Sequence, residues 1–465
     1  MTEHSGHQTS SQRMALAMVL LNCFTTPLML SAANVALPAI ARDLRLHAVM
    51  LSWVPMAYLM ACAMFVLIFG RLADMYGRKK IFLYGTAGVI VTSLMAAMAS
   101  NGEFLIIARF LQGVCSAMLY ATQMALVSSV FPPARRGHAI GLAVSTIYLG
   151  LTCGPVIGGY LIDVAGWRAS FMFYIPLAII VLLIGLWKVP GEWLAEERGK
   201  FDIPGAVIYS ISILSLCLGV SLLPHAASYF LIFMGLAGLS VFIRLARNNR
   251  HPIIDVKLFF TNRVFMLSCL AALIIYTATF ATIVLVSLYL QYLKGMQAGN
   301  AGLIMMIQPL TMAILSPFAG RLSDRVEPRI IASAGMAVTA AGLYMLAMMN
   351  GAASLQYLIG ALVITGVGFS MFSSPNTNAI MGAVEKRYYG SASGSLATMR
   401  VLGQMNSMVL VTLVFALVIG QVEIQPGNYT NLQTAVHLCF IIAASLCLPG
   451  MVFSMARGRM HGNHL

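Results

Sequence analysis

Apolar runs long enough to cross a membrane recur from one end of this chain to the other, and they limit the possible folds more than any other feature. A helix of about 20 apolar residues spans a hydrocarbon core of about 30 Å. Such runs must be helical, because backbone polar groups find no water there. Leu, Ala, Met and Gly fill them without strict alternation, which argues against a β-barrel. Charged residues make up 9% of the 465 and hydrophobic residues 60%, whereas soluble domains carry about 25% charged residues. The composition therefore predicts an all-α integral membrane protein.

The apolar runs predict about 14 transmembrane helices. The first six and the last six form two six-helix bundles, at residues 14–188 and 264–456, and residues 189–263 form an inserted helix pair with cytoplasmic linkers. The predicted helices lie near 14–38, 50–69, 82–100, 104–130, 138–162, 169–188, 203–222, 227–246, 264–290, 299–319, 330–349, 355–380, 390–418 and 434–456.

A charged sequence recurs once in each half of the chain. GRLADMYGRKK occupies residues 70–80 and GRLSDRVEPR occupies 320–329, so Gly70 aligns with Gly320 and Asp74 with Asp324. Each copy follows a long apolar run, at the point where a membrane helix should emerge into water. The repeat indicates two bundles related by pseudo-symmetry, as in secondary transporters that bind substrate near the midplane.

The basic residues predict the orientation in the membrane. If the N-terminus is cytoplasmic and the helices alternate, the outer loops hold few Lys and Arg residues, namely Arg42, Arg45, Arg168 and Lys294. Arg109 and Arg400 lie within helices, and the other basic residues face the cytoplasm. Since cytoplasmic loops are enriched in Lys and Arg, we expect a multi-pass protein of the inner membrane with both termini cytoplasmic. The net charge of +14 then faces anionic lipid headgroups, and no nucleic-acid partner is needed to explain it.

The first copy of the repeat resembles the signature loop of the major facilitator superfamily, which joins helices 2 and 3 on the cytoplasmic side. Gly70, Asp74, Gly77 and Arg78 stand at the positions of that signature, and Asp324 belongs to the second copy. A carboxylate at a helix end can cap a helix of the opposite bundle while a neighbouring Arg holds it. The resemblance therefore implies a gating motif. The alternative is a solvated basic loop that only sets topology.

The fifth predicted helix carries a string that resembles the antiporter motif of the same superfamily. Its residues are Gly150, Gly154, Pro155, Gly158 and Gly159. Small residues let helix backbones approach closely, and the Pro removes one backbone hydrogen bond and permits bending. This composition suits a moving interface between bundles, although small-residue packing alone would also explain it.

The whole chain resembles the 14-helix drug:proton antiporter branch of this superfamily, which exports quaternary-ammonium compounds and other drugs. Asn34-Val35-Ala36-Leu37-Pro38 in the first helix carries the resemblance, as does Arg400-x-x-Gly403-Gln404 in the thirteenth. That branch usually has an Asp five residues before the Asn, where this chain has Met29. Arg109, in Arg109-x-x-Gln112-Gly113, resembles the family's membrane-embedded arginine near the proton pathway. Its alternative is an Arg that reaches the headgroups.

No carboxylate is predicted in mid-membrane, because all 14 acidic residues map to loops or helix ends. Proton antiport needs a group that binds a proton in one state and releases it in another. The candidates for the proton or charge pathway are Arg109, Glu103, Asp163, Arg400 and His437, with Asp43 as a further carboxylate at a helix end. His437 alone is more often a packed residue than a relay. The loss of the first-helix Asp leaves the coupling group open.

Polar and amphipathic residues within the helices are candidates for the substrate cavity. They are Asn34, Tyr120, Gln123, Tyr276, Gln308, Asn376 and Gln404, together with Asn378, and each could instead make an interhelical hydrogen bond. The 32 Met residues would give an adaptable surface. Since Arg109 and Arg400 are the fixed charges left in the bundles, we expect the cavity to favour neutral or anionic substrates.

These features predict a secondary active efflux transporter of small, partly apolar, drug-like compounds, which exchanges them for protons by alternating access. The alternative is a facilitator, or an exporter of a specific neutral or anionic metabolite, without that proton coupling. A third possibility is a receptor that descends from a transporter and no longer transports. It is disfavoured because the residues of the gating motifs are present. No P-loop, HExxH or GxSxG is present, so an enzyme is not expected. We expect no cofactor, no metal, a proton gradient as the energy source, a small-molecule substrate, lipid contacts and a monomer. A periplasmic adaptor is left open.

Overall fold

The computed structural model describes residues 2–131, 133–193, 201–223, 225–249, 252–254, 256–323, 325–351, 353–385 and 389–458. In these ranges the regular elements are helices, with one isolated β-bridge between His47 and Glu423. Asp324 of the second repeat lies outside the described residues. Fourteen helices are long and apolar enough to cross a membrane, as predicted.

We number these spans helix 1 to helix 14. Their bounds are Gln12–Val35, Ala48–Tyr76, Arg78–Ala97, Gly102–Val130, Ala139–Ala165, Trp167–Trp187, Ile203–Ser221, Ala226–Asn248, Arg263–Leu293, Ala298–Ser323, Pro328–Ala347, Leu355–Gly382, Ala392–Val418 and Pro426–Ala456. Helix 1 is part of a longer helix, Thr2–Val35, and helices 5 and 13 are parts of Pro133–Ala165 and Tyr389–Val418. Two short helices, Leu37–Leu44 and Val256–Thr261, lie between spans.

Four spans are interrupted. Helix 6 comprises Trp167–Met172 and Tyr174–Trp187, helix 10 comprises Ala298–Met305 and Ile307–Ser323, and helix 14 begins with a 3₁₀ turn, Pro426–Asn428, before Tyr429–Ala456. Helix 9 comprises Arg263–Thr279, Ala281–Leu288 and a π-helical turn, Tyr289–Leu293. At the interruption of helix 9 the Ala281 N–H donates to Ser407 Oγ at 3.0 Å. A neighbouring helix thus supplies a side-chain acceptor at this interruption.

Helix 2 differs from its predicted bounds in an informative way. The prediction ends it at residue 69 and leaves the charged motif in a loop, whereas the helix continues to Tyr76. Charged residues at the end of a membrane helix can remain helical once they emerge into water. The turn into helix 3 is made at Gly77, whose φ of 119° disfavours residues with a side chain.

Helices 1 to 6 pack together, and helices 9 to 14 repeat the same neighbours. Helix 4 contacts helices 2 and 3, and helix 12 contacts helices 10 and 11 in the equivalent arrangement. Helices 7 and 8 pack against each other, and helix 7 reaches both bundles: Tyr209 donates to the Ala63 carbonyl at 2.9 Å, and Cys217 contacts Met405. The fold is thus two related six-helix bundles with an inserted helix pair.

Two ends of the molecule matter for the site. We call the end with residues 70–80 the motif face. The opposite end, which holds His47, Asp163, Ala298 and Val422, is called the closed face.

Candidate substrate pathway and gates

The gating motif on the motif face is held together by Arg78. Its Nε and Nη2 donate to Asp74 Oδ1 at 2.9 and 2.8 Å, and its Nη1 reaches the Ala125 carbonyl at 3.3 Å and Ser129 Oγ on helix 4. Within the described residues, Arg78 is the only side chain that donates to Asp74. The expected cap from Asp74 onto a helix of the opposite bundle is therefore not among the contacts described, and Gly70 has no close neighbour that its missing side chain would strike.

A carboxylate that the sequence analysis did not single out caps helix 3. Glu192, which follows helix 6, accepts from the backbone N–H groups of Lys79 and Lys80 at 2.8 and 3.1 Å. The Arg78 N–H donates to the Trp193 carbonyl at 3.0 Å. A negative charge at a helix N-terminus is stabilising, so the linker toward the inserted pair fastens the gating motif. The sequence gives no sign of this contact beyond an acidic residue in a loop of mixed charge.

The predicted antiporter motif packs helix 5 against two helices at once. Gly150, Gly154 and Gly158 lie against Phe24, Leu28 and Ala32 of helix 1, so that a methyl group at any of the three would overlap helix 1. This is close helix packing at a four-residue spacing within the first bundle.

The other side of the motif contacts the second bundle. A methyl group at Gly159 would overlap the Ala298 carbonyl, and one at Gly302 would overlap the Pro155 carbonyl, so helix 5 and helix 10 touch backbone to backbone. The Pro155–Gly159 half of the predicted motif therefore lies at the interface between the two bundles.

Polar contacts close the same end of this interface. Asp163, in the last turn of helix 5, accepts from the Ala298 and Gly299 N–H groups of helix 10 at 3.1 and 2.8 Å. Gln291 of helix 9 donates to the Val35 carbonyl at 2.9 Å. The Ala48 N–H donates to the Val422 carbonyl at 2.9 Å. These contacts all join one bundle to the other, which is why we call this face closed.

We expect Asp163→Asn to loosen the closed face. The substitution removes the negative charge that two N–H groups share at a helix N-terminus, a change worth about 1 kcal/mol, or roughly fivefold in the closed population. Spin-label distances across the face measure it. Asp43→Asn is the matched control, because the partners of Asp43 belong to the first bundle alone. Equal distances in wild type and Asp163→Asn would contradict the assignment.

Arg109 is fully buried in the first bundle, at 0% exposure, and does not reach the headgroups. Its Nε donates to the Val54 carbonyl at 3.2 Å, Nη1 donates to Gln112 Oε1, and its Cζ lies 4.5 Å from the centre of the Tyr58 ring. Nη2 is buried without a hydrogen-bond partner. A buried guanidinium of this kind is a functional candidate.

Met29 occupies the position where the resemblance to the 14-helix branch implies an Asp, and it lies beside Gln112, the partner of Arg109. Gln112 Nε2 is 3.3 Å from Met29 Sδ and also donates to Ser93 Oγ at 2.8 Å. The Tyr58 hydroxyl is 3.4 Å from that of Tyr120, which leads from Arg109 toward the bundle interface. Arg109 and its polar neighbours are thus present in the structure, but the carboxylate that would pair with Arg109 is replaced by Met29.

Arg400 occupies a different environment at the interface between the bundles. Half-buried on helix 13, it donates from Nε to the Tyr276 hydroxyl at 3.1 Å. Tyr120 and Tyr148, on helices 4 and 5, are also close enough to interact with its charge. The Tyr148 hydroxyl lies 3.2 Å from Ser373 Oγ of helix 12. Two predicted cavity residues, Tyr120 and Tyr276, therefore lie near one cation, together with Tyr148, which was not predicted.

The remaining cavity candidates are divided between the interface and the packed interior. Gln123 accepts from Asn22 Nδ2 at 3.2 Å. Asn376 donates to the Ser268 carbonyl at 3.1 Å and accepts from the buried Arg457 at 2.8 Å, inside the second bundle. Asn34 is 1% exposed, and both polar atoms of its side chain lack a partner. Gln308 and Gln404 are half-buried and Asn378 is exposed.

The other candidates for proton coupling have separate positions. Glu103 is exposed in the first turn of helix 4, whose N-terminus Asn101 caps. His437 Nδ1 lies 2.7 Å from the Ala347 carbonyl, between helices 14 and 11. Asp43 accepts from Trp167 Nε1 at 2.9 Å and Arg168 Nη1 at 2.7 Å. Each described carboxylate lies in a loop or near a helix end, as expected. Asp163 alone among these candidates joins the two bundles.

The hydrogen bonds from Trp167 and then Arg168 lower the pKa of the Asp43 carboxyl. A lowered folded-state pKa gives stability that is present above the unfolded value of about 3.9 and is lost as pH falls through the folded value. We therefore expect Asp43→Asn to lower the thermal midpoint at pH 7, and the difference from the wild type to shrink as the pH falls below about 3.9. Thermal unfolding of both proteins over this range tests it, and an unchanged difference at pH 3 would contradict it.

Two packed bundles of membrane helices that meet at a close glycine interface are the architecture of a membrane transporter. The family model for the Major Facilitator Superfamily matches residues 19–408 and 268–460. This chain therefore belongs to the Major Facilitator Superfamily. It is a transport protein of the membrane and not an enzyme.

Individual relatives transport different compounds. The chain is 29% identical over 443 residues to the riboflavin transporter RibZ of Clostridioides difficile (strain 630), covering 95% of this chain and 96% of the relative. It is 30% identical over 376 residues to the multidrug resistance protein Stp of Mycobacterium tuberculosis (strain CDC 1551 / Oshkosh), covering 80% and 70%. Its fold matches a bacterial homologue of the human lysosomal transporter Spinster, with a TM-score of 0.69, 14% identity and 97% of each chain covered.

Proposed function

We propose that this protein exports small, partly apolar, drug-like compounds in exchange for protons by alternating access. The observation that carries the proposal is the interface of helix 5 with helix 10. There Gly159 and Gly302 allow backbone contact, and Asp163 joins the bundles at the closed face. A contact this close must separate for substrate to pass that face. The multidrug resistance protein among the relatives supports export of drug-like compounds.

The proposed orientation in the membrane follows from the basic residues. The motif face carries Arg71, Arg78, Lys79 and Lys80, which favours a cytoplasmic position in the inner membrane. Both termini then lie in the cytoplasm, and the closed face is the outer gate. The protein works as a monomer in contact with lipids and needs no cofactor beyond the proton gradient.

Exchange for protons requires a group that binds and releases a proton. Met29 removes the first-helix carboxylate, and no described carboxylate lies at the midplane. Asp163 is the strongest remaining candidate, because its carboxylate contacts the other bundle. The group must change its proton affinity between two conformations. When the outer gate opens, Asp163 must lose the two N–H donors that helix 10 supplies, so its surroundings differ between the two conformations.

The second candidate function is a facilitator, or an exporter of one neutral or anionic metabolite, without that proton coupling. Met29 beside Gln112 favours it, because the expected coupling carboxylate is absent. The riboflavin transporter among the relatives supports a specific metabolite as cargo.

Proton release from the purified protein in vesicles tests both functions. Rhodamine 123 and fluorescein serve as candidate substrates, and Asp74→Asn serves as the gating variant, because it removes the partner of Arg78. Substrate-driven proton movement that falls in Asp74→Asn is expected for the exporter. Substrate flux without proton movement would overturn the exchange and leave the facilitator.

A further inference from the structure

Arg400 is a cation at the meeting point of both bundles. It lies on helix 13, and its Nε is bonded to Tyr276 of helix 9 in the same bundle. Its electrostatic neighbours on the other side are Tyr148 of helix 5, Tyr120 of helix 4 and Cys23 of helix 1. Three helices of the first bundle thus lie near a charge that the second bundle supplies, at the interface between the bundles, where transporters of this fold bind substrate.

No carboxylate among the described residues compensates this charge. The electrostatic partners of Arg400 among the described residues are Tyr276, Tyr148, Tyr120 and Cys23. The ion pairs Asp74–Arg78 and Asp43–Arg168 lie elsewhere, at the ends of helices. Phenols and thiols are neutral near pH 7. An uncompensated charge in a low-dielectric region attracts an opposite charge strongly.

The two intramembrane arginines differ in what they can bind. Arg109 is fully buried and uses Nε and Nη1 on protein acceptors, with Tyr58 and Phe171 close to its Cζ. Arg400 is half-buried, and its hydrogen bond to a described residue uses Nε. Its two amino groups are therefore free to donate to a ligand, in the fork geometry that suits carboxylates and sulfonates.

Aromatic rings lie on one side of this cation. The Arg400 Cζ is 5.2 Å from the Tyr276 ring centre, and Tyr276 in turn lies edge-on to Phe369 at 5.5 Å. Rings in such positions can pack against a planar ligand.

We propose, on the basis of the transport function above, that Arg400 selects aromatic anions as substrates. The guanidinium binds the acidic group of the ligand, and the ligand ring packs against Tyr276, with Tyr120 and Tyr148 facing it from the first bundle. An aromatic acid bound there contacts both bundles at once. Its charge is therefore bound at the interface along which the two bundles move during transport.

Binding of two dyes that share the xanthene ring system tests this directly. The full chain is placed in phosphatidylcholine nanodiscs, and fluorescence anisotropy is measured with fluorescein, which is anionic, and rhodamine 123, which is cationic. We expect the wild type to bind fluorescein at least tenfold more tightly than rhodamine 123. In Arg400→Met, which keeps an unbranched apolar stem and removes the guanidinium, fluorescein binding should weaken at least tenfold and rhodamine 123 binding should stay within threefold.

Two further variants separate charge recognition from packing. Arg400→Lys keeps the charge without the fork and should lie between wild type and Arg400→Met for fluorescein. Arg168→Met removes an exposed cation at the closed face and should leave both dyes unaffected. Arg400→Met with wild-type fluorescein affinity would reduce Arg400 to a packing residue and overturn the proposal. If Arg400→Met does not fold, the wild-type preference decides: equal affinities, or tighter rhodamine 123, also overturn it.

The outcomes separate this inference from the transport function. Arg400-dependent fluorescein binding without proton-linked flux would overturn the exchange mechanism and keep the anion site. Proton-linked flux of rhodamine 123 with no Arg400-dependent binding of fluorescein would keep the exchange mechanism and overturn the anion site.

Discussion

Gly159→Leu is expected to abolish transport by preventing closure of the outer gate. The added side chain would overlap the Ala298 carbonyl of the opposite bundle. Overpacking of a tight contact costs about 1–3 kcal/mol, which is roughly 5- to 150-fold in the closed population. Because each transport cycle must pass through the closed state, we expect dye flux in vesicles to fall at least tenfold. Spin labels across the closed face should also move apart.

Gly141→Val is the matched control for this prediction. Gly141 lies on the same helix, and a methyl group there would meet nothing within 4 Å. Its flux should remain near the wild-type value. Normal flux in a folded Gly159→Leu protein would mean that the backbone contact between helices 5 and 10 is not part of the gate.

Met29→Asp is expected to add a proton-binding group beside Arg109. Met29 is 0% exposed and contacts Gln112, which already bonds to Arg109. A buried carboxylate needs a partner to stay charged, and Arg109 Nη2 is buried without one. We expect up to about one more proton to be released per substrate transported, since one added carboxylate binds one proton. Paired pH-dye and substrate-flux recordings measure this.

Met29→Leu provides the control, because it changes the shape of the buried side chain and adds no charge. Its proton release should equal that of the wild type. An unchanged ratio of protons to substrate in a transporting Met29→Asp protein would show that this pocket takes no part in coupling.

The membrane fold was predictable because it depends on local information. Three features could be recognised in the sequence without any tertiary contact: the apolar runs of about 20 residues, the basic loops, and the repeat of Gly70 and Asp74 at Gly320 and Asp324. The bounds were less predictable, since helicity at a membrane surface does not end where hydrophobicity ends. Helix 2 continues through its charged motif to Tyr76 and turns at Gly77, whose left-handed φ the sequence indicates only as a glycine.

The site was predictable as residue types and less so as contacts. The glycines of helix 5 indicated close packing, but nothing in them identifies Ala298 as the backbone that Gly159 meets. The sequence likewise showed that Met29 stands where a carboxylate was expected. It did not show that Met29 contacts Gln112. In the sequence, Arg109 and Arg400 both appear as charges within membrane helices. The difference in their burial is seen only in the structure. For the cap of Glu192 on helix 3, the sequence offered only an acidic residue in a loop of mixed charge.

Distances at the two faces, measured in the wild-type protein during transport, test alternating access most directly. One spin-label pair replaces Arg42 and Gln421 at the closed face, and a second replaces Tyr76 and Arg325 at the motif face, all four exposed. Adding substrate under a proton gradient should lengthen the first distance while the second shortens. A closed-face distance that stays in one population while substrate is transported would contradict the account.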